Sequence, residues 1–319
     1  MITLKELAEN SDDKLVQGFI NEIVTSSFLL SRMTFDDCLT STGTSDLIYS
    51  YKRVKTPMSA KFRKLNTEPT KSKPEIERIK TQVAILSDAW DMDRVTKDAA
   101  GDLYQLYLEE SRDAIIRKFT MAVINGDTSV DEDGFDGLDK AIKDSSTEFT
   151  SETDLSVVTQ ASALAFSEEL DTMISALLRT PDVLMVSPAT KVKINAVCRI
   201  LGLGTTTPDS AGRQVASWNG IPIEEMKDGS LTTGDIYAAC FGMNEFHGIT
   251  LKGGSAITVS LPDWNSPGAV KSGDAEFVCG CALKQTKAAG VLRAKKKVVT
   301  PPVTPPVTPP EQGEQSGDQ

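Results

Sequence analysis

Few residues of this chain could take part in catalysis or metal binding, and the single histidine, His247, is the first candidate. His247 could act as the base of a Ser-His-Asp or Cys-His arrangement. It stands in Phe246-His247-Gly248, between two strand-like segments, where a packed or surface histidine is the expected role. We therefore predict no catalytic residue, and a hydrolase is the weakest of the functions weighed.

An acidic turn at Asp127, Asp131, Glu132, Asp133 and Asp136 offers the oxygen ligands that calcium prefers. An EF-hand loop needs glycine at its sixth position and a carboxylate at its twelfth. If Gly134 is taken as the sixth residue of such a loop, Ser129 is its first residue and Lys140 its twelfth. A lysine at the twelfth position would place a positive charge where the metal needs a carboxylate ligand. This excludes an EF-hand. Calcium binding in another geometry stays open, but the default prediction is a solvated acidic turn without metal.

Cys279 and Cys281 lie two residues apart in a strand-like run, so their side chains share one face. A metal site there would need further soft ligands, and we predict buried thiols instead. Gly202-Leu-Gly204 lacks the third glycine of a dinucleotide-binding turn, and the chain has no GxxxxGK[ST] phosphate loop. No cofactor is predicted. Five cysteines, an odd number without framework spacing, fit a reducing compartment.

Charge is distributed unevenly along the 319 residues. The formal net charge is −11, which argues against a dedicated nucleic-acid binder. Between Tyr51 and Lys80, however, the sequence has ten cationic residues and three glutamates. The net charge of this stretch is therefore +7, and that of the rest of the chain is −18. Such asymmetry is typical of a segment that meets an oppositely charged surface, and a merely solvated loop is the equally open alternative.

The elements that would position these residues follow from periodicity. Alternating apolar residues predict a two-stranded arm over 47–90, with a loop tip near Thr67–Pro74 and little core of its own. Residues 96–124 have apolar residues at steps of three and four, which predicts one long helix ended by Asn125-Gly126. Short helical pieces are predicted within 3–37. An isolated ribbon is marginal in water, so the arm needs a partner surface.

A second region follows the acidic turn and reads as a compact α+β domain. Phe166–Leu178 predicts a helix, 183–186 a buried strand, and Ser187-Pro188 the start of a helix that ends near Gly202. Asn219-Gly220 predicts a tight hairpin turn. Strand-like runs follow at 235–242, 247–251, 256–261 and 275–294. The final stretch TPPVTPPVTPP predicts an exposed polyproline segment without a core.

The order of these parts resembles the major capsid proteins of tailed bacteriophages with the Hong Kong 97 fold. The phrases that carry the resemblance are INGD-x7-FDGL at 124–138, VLMVSPATKVKINAV at 183–197, NGIPIEEM, FGMNEFHGITL and AEFVCGCALKQTKAAGVLRA. The resemblance covers about residues 1–295. It implies an α+β fold with an N-terminal arm (1–46), an extended loop (47–90), a peripheral domain with a spine helix (91–150), an axial domain (151–235), further peripheral strands (236–297) and a separate Pro-rich tail (298–319).

The resemblance also implies a function. Subunits would assemble as hexamers and pentamers into an icosahedral shell around DNA that is not bound sequence-specifically, in a virion assembled in the bacterial cytoplasm. The implied partners are further copies of the chain, a separate scaffolding protein and a portal protein, with a decoration protein left open. Because the arm begins at Met1, no large N-terminal cleavage is expected. A Lys–Asn crosslink between Lys61 or Lys64 and Asn265 is not favoured, because no residue pattern marks such a site.

The predicted contact between subunits joins the basic loop to the acidic turn. The loop would lie over the next subunit and present Lys52, Arg53, Lys55, Lys61, Arg63 and Lys64. The expected counterpart is formed by Asp127, Asp131, Glu132 and Asp133. Two alternatives stay open: an encapsulin-like nanocompartment of the same fold, and a stalked α+β binding module from another class.

Overall fold

The computed structural model describes residues 17–18, 21–23, 26–37, 47–56, 58–99, 101–203, 206–208, 214–227, 229–251 and 257–295. The predicted Pro-rich tail and most of the N-terminal arm lie outside these residues. In the first half of the chain the elements are α1 (Phe28–Arg32), β1 (Phe35–Asp37), β2 (Ile48–Thr56), β3 (Glu75–Gln82), β4 (Ala84–Asp93), α2 (Arg94–Ala99), α3 (Gly101–Asn125), α4 (Leu138–Ile142) and β5 (Glu148–Thr150).

The second half of the chain alternates helices and strands before it becomes all strand. Its elements are α5 (Gln160–Ala176), β6 (Val183–Val186), α6 (Pro188–Leu201), β7 (Thr206–Pro208), β8 (Gln214–Trp218), β9 (Ile221–Glu225), β10 (Ile236–Ala239), β11 (Phe246–Thr250), β12 (Ile257–Ser260), β13 (Val270–Leu283) and β14 (Ala289–Arg293). A 3-10 turn at Thr286–Ala288 separates the last two strands. None of the described helices combines the length and the hydrophobicity that a bilayer crossing requires.

The strands form two sheets and a separate ribbon. The five-stranded sheet has the order β1-β11-β13-β12, with β4 also paired to β13. The seven-stranded sheet has the order β5-β14-β10-β6-β9-β8-β7. Among the described strands, β2 and β3 pair only with each other, in the antiparallel direction. Together with the connecting loop, described over 58–74, they form the ribbon, residues 48–82.

The central strands β6 and β10 of the seven-stranded sheet are buried on both faces. Val183 and Met185 of β6 belong to a core shared with α3, while Leu184 and Val186 point into a second core beneath α5 and α6. This alternation follows from the two-residue period of a strand. It explains why β6 is apolar at every position, as expected of a strand covered on both sides.

The local signals for helix α6 and the hairpin are confirmed. Ser187 caps α6 by accepting a hydrogen bond from the Thr190 amide, and Gly202 ends the helix in the left-handed region at φ 68°. Asn219 and Gly220, with φ of 48° and 86°, turn β8 into β9. Two positive φ angles are what a two-residue hairpin loop requires.

Three predicted boundaries were wrong. The ribbon ends at Gln82 rather than at 90, because β4 pairs with β13 over ten residue positions in the five-stranded sheet. The long helix predicted from Thr96 is helical on both sides of residue 100, as α2 (Arg94–Ala99) and α3 (Gly101–Asn125), and residue 100 lies outside the described residues. The helix predicted from Phe166 begins at Gln160, where Thr159 and Ser162 form a capping box. The last strand is two strands, in different sheets.

The boundary at 235, predicted between axial and peripheral domains, does not separate the sheets. Strands β10 and β14 were expected among the peripheral strands, yet they lie in the seven-stranded sheet between β5 and β6. The chain therefore returns twice to this sheet after leaving β9. Such long-range strand order is not encoded in the local pattern of either strand.

Candidate inter-subunit surfaces

The ribbon has almost no core of its own. Seven of the eight side chains of β3 are exposed or half-buried, and only Thr81 is buried. Lys52 and Arg78 stand directly opposite each other across the strands, a like-charge pair that weakens a two-stranded ladder. A ribbon of this kind is marginally stable in isolation. Within the chain, its stabilisation comes from the sheet at its base.

The cations predicted to meet a neighbour are placed along this ribbon. Lys52 is exposed and Arg53 half-buried in β2, while Lys61, Arg63 and Lys64 are exposed in the connecting loop. None of these five forms an ion pair with another described residue. Lys55 lies in β2, and its side chain is outside the described part. The prediction that these cations contact a second subunit stays a prediction.

The ribbon is anchored at its base by a cluster that the sequence analysis did not identify. The Tyr49 hydroxyl donates a hydrogen bond to Oδ2 of Asp36 at 2.5 Å, and Lys284 Nζ lies 3.3 Å from the same oxygen. The Tyr49 ring also meets the His247 ring edge-on, with centroids 6.0 Å apart. The only sequence signal was that Tyr49 is the first aromatic residue of the alternating strand.

His247 is fully buried in this cluster. Its Nε2 has no hydrogen-bond partner among the described residues. Burial and the nearby Lys284 ammonium lower the pKa of His247 to about 4, so the ring is neutral at physiological pH. The expectation of a packed histidine is confirmed.

The long helix ends in a tight backbone crossing that accounts for the INGD-x7-FDGL phrase. The amide of Gly126 donates to the Ala122 carbonyl, and the amide of Gly137 donates to the Gly126 carbonyl at 2.8 Å. A Cβ on Gly137 would lie 2.6 Å from the Ala122 carbonyl oxygen. A Cβ on Gly126 would lie 2.3 Å from the Phe135 carbonyl oxygen. Both positions need glycine because the two backbones touch.

A lysine occupies the centre of the acidic turn. Lys140 Nζ lies 2.6 Å from Oδ1 of Asp127 and 2.8 Å from Oδ1 of Asp136, and it also donates to the Thr128 hydroxyl. Hydrogen bonds from Lys140 hold the pKa of Asp127 well below its usual range. Lys140, which would be the twelfth residue of an EF-hand loop, thus compensates the negative charge of Asp127 and Asp136 inside the turn.

This arrangement divides the predicted acidic counterpart into two parts. Asp127 is committed to Lys140, and Asp131 pairs with Lys118 of α3 at 3.3 Å in an exposed contact. Glu132 and Asp133 are exposed and form no ion pair with other described residues. The Gln82 side-chain amide donates to the Glu132 carbonyl at 2.9 Å, so the turn lies beside the base of the chain's own ribbon.

The two cysteines of β13 are buried, as expected. Cys279 and Cys281 are free thiols, and burial raises the pKa of Cys281 to about 12. No group of three or more potential metal ligands comes together among the described residues. Thiols this protonated have little nucleophilic or metal-binding capacity, so the pair serves packing.

Solved structures show where this architecture occurs. The encapsulin in the holo-SrpI complex of Synechococcus elongatus PCC 7942 is 13% identical, with a TM-score of 0.59 over 85% of this chain and 88% of that one. The capsid of a native GTA particle is 16% identical, with a TM-score of 0.58 over 84% and 90%. The capsid of Myoviridae phage XM1 is 13% identical, with a TM-score of 0.52 over 84% and 91%.

Sequence comparison adds no further relative: no family model matches the chain, and no curated protein shows a significant match. The structural likeness spans most of both chains in each case, although identity is low. The predicted fold class is confirmed, and the chain has the α+β Hong Kong 97-type capsid fold.

Proposed function

We propose that this chain is the major capsid protein of a tailed bacteriophage. Its subunits would assemble as hexamers and pentamers into an icosahedral head around double-stranded DNA. The observation that supports this most directly is the ribbon: a coreless, cation-bearing extension on a fold shared with capsid and encapsulin shells. Beyond the anchor at its base, such an extension gains stability when another subunit covers it.

The net charge supports a shell that encloses DNA without binding it tightly. A net charge of −11 disfavours strong attachment to phosphate backbones, since DNA affinity rises with the number of phosphates neutralised. The proposed partners are other copies of the chain, a separate scaffolding protein and a portal protein, in a virion assembled in the bacterial cytoplasm. The role is structural, and no catalytic residue is assigned.

The first test is negative-stain electron microscopy of the full chain, expressed alone and together with the product of its neighbouring gene as scaffold. Closed shells or isolated capsomers support the proposal. A monodisperse monomer of 34.4 kDa under both conditions overturns it.

The second test reverses the charge of the loop. We expect the triple variant Lys61→Glu, Arg63→Glu, Lys64→Glu to lose particle yield. The matched control reverses three exposed cations elsewhere, Lys143, Lys227 and Lys287, and changes net charge by the same amount. Normal particle yield from the loop variant would contradict the predicted contact.

The second candidate function is an encapsulin-like nanocompartment, and the match to the SrpI encapsulin is the specific observation in its favour. The contents of the particle separate the two functions. Particles purified from the native source that contain double-stranded DNA support a phage head. Particles that contain a protein cargo and no genome support the nanocompartment.

A further inference from the structure

A pocket lies between strands β10 and β14, the first turn of α6 and the segment 151–156. Its volume is about 670 Å³. Phe166, Ile236 and Leu292 line it from the core beneath α5 and α6, and the half-buried Leu155 lines it from the segment 151–156. An apolar pocket of this size with polar residues at its mouth is the usual form of a binding site.

The part of the chain that the structure describes ends at this pocket. Ala294 and Lys295 are its last two residues, and both line the pocket. The Ala294 amide donates a hydrogen bond to Oδ1 of Asp235 at 2.7 Å, and Lys295 Nζ donates to the Glu152 carbonyl at 2.7 Å. These bonds fix the end of β14 beside the pocket, so the residues that follow start at its mouth.

The residues that follow include an apolar pair. The chain continues with Lys296, Lys297, Val298 and Val299, and the proline repeats start at Pro301. Three residues of extended chain span roughly 10 Å, and the cube root of the pocket volume is about 9 Å. The two valines are therefore within reach of the apolar lining. A group on so short a tether has an effective concentration on the order of millimolar, which favours it over an unlinked ligand.

Charge and backbone stiffness favour this valine pair over the valines further along. Glu152 and Asp154 are exposed on the segment that Lys295 contacts, which suits the two lysines in front of the pair. Val303 and Val307 stand between prolines. Proline repeats favour an extended helix that rises about 3.1 Å per residue and does not turn back on itself.

We infer that Val298 and Val299 occupy this pocket in their own chain and pack against Leu155, Phe166 and Leu292. The contact extends the core beneath α5 and α6 beyond the end of β14. It also fixes the point at which the Pro-rich tail leaves the subunit. Because both partners belong to one subunit, the contact does not depend on the proposed shell function.

The first experiment measures the oxidation of Leu155 by hydroxyl radicals in the full chain. We expect the double variant Val298→Ser, Val299→Ser to raise the oxidation rate of Leu155 by about tenfold, because burial of two valine side chains is worth more than a factor of ten in an equilibrium. The matched control, Val303→Ser, Val307→Ser, makes the same chemical change further along the tail and should leave the rate unchanged. Equal rates in wild type and in the first variant overturn the inference.

The second experiment tests the pairing itself with the double variant Ser156→Cys, Val299→Cys. Ser156 is exposed and lines the pocket. After oxidation we expect a disulfide within one chain, found by peptide mass mapping of the monomer band from a non-reducing denaturing gel. The control, Ser156→Cys with Val307→Cys, should stay reduced. A chain without the disulfide overturns the inference, and so does a dimer band, which would show that the tail of a second copy fills the pocket.

The remaining outcomes are also decisive. If the double cysteine variant does not fold, the oxidation of Leu155 decides the inference, since the serine variants change only the tail. If the disulfide forms within a chain that assembles no shells, the proposed function fails and this inference stands. If shells form without the disulfide, the inference fails and the proposed function stands.

Discussion

The hydroxyl of Tyr49 donates a 2.5 Å hydrogen bond to Oδ2 of Asp36, which joins the ribbon to the edge strand of the five-stranded sheet. Tyr49 is buried, and Lys284 approaches both its ring and the Asp36 carboxylate. This contact fixes the base of the ribbon against the sheet.

We expect Tyr49→Phe to lower the free energy of unfolding by about 1–2 kcal/mol, because a hydrogen bond to a carboxylate is lost while the ring is kept. Urea denaturation of the dissociated subunit measures this. Tyr107→Phe, on the outer side of α3, is the matched control and should change stability by less than about 0.5 kcal/mol. Equal effects of the two substitutions would contradict the anchoring role.

Stability should fall as the pH drops, through His247. Its pKa is about 4 in the folded chain and 6.5 in the unfolded chain, so between these values only the unfolded chain binds the proton. Going from pH 7.5 to pH 5 should therefore cost about 2 kcal/mol in this group alone. The measurement compares wild type with His247→Gln at both pH values. The difference between them should shrink at pH 5, and a constant difference would refute the assignment.

The backbone crossing after the long helix predicts a sharp contrast between two glycines. Gly137→Ala should destabilise the subunit by about 2–4 kcal/mol, because the new Cβ has backbone atoms on two sides and nowhere to move. A Cβ on Gly134 would meet the Asp131 carbonyl oxygen at 3.3 Å and the Asp131 carboxylate at 3.5 Å, so Gly134→Ala should cost far less. Thermal unfolding of both variants decides between them, and similar melting temperatures would show that the crossing is loose.

Lys140 should matter more to the subunit than Lys118, although each faces a carboxylate of the same turn. Lys140 bridges Asp127 and Asp136, whereas Lys118 makes one exposed contact. We expect Lys140→Met to lower the melting temperature clearly and Lys118→Met to leave it nearly unchanged. The contribution of Asp127 is present above its unfolded pKa of 3.8 and is lost as pH falls through its lowered folded pKa. In Lys140→Met this part of the acid dependence should shrink to what the hydrogen bonds from Ser129 retain.

Substitutions of Phe119 and Phe62 should differ in their effect on the folding of the subunit. Phe119 is fully buried against Phe277, with ring centroids 5.3 Å apart, so Phe119→Ala should cost about 3–5 kcal/mol of subunit stability. Phe62→Ala should leave subunit stability unchanged, because the ring is fully exposed in the connecting loop of the ribbon. Calorimetry of the dissociated subunit measures both. A large loss of stability in Phe62→Ala would show that the loop packs within its own chain.

The sequence by itself determined the elements whose signals are local. Ser187-Pro188 and Gly202 mark the two ends of one helix, Asn219-Gly220 specifies one turn, and the apolar stripe within 96–124 predicts the long helix. These features depend on hydrogen bonds and dihedral preferences within a few residues, so the types of neighbouring residues are sufficient to predict them. The order of such parts also predicted the Hong Kong 97-type fold, since that order is particular to it.

Only the tertiary structure decided which distant segments meet. Strands β10 and β14 join the seven-stranded sheet, and β4 leaves the ribbon to pair with β13, although their local patterns do not distinguish these partners. The same holds for Lys140 inside the acidic turn, for the anchor of Tyr49 on Asp36, and for the pocket between α6 and the segment 151–156. Each depends on side chains from far apart in the chain. Their approach is selected by the free energy of packing the whole core, which no short window of sequence contains.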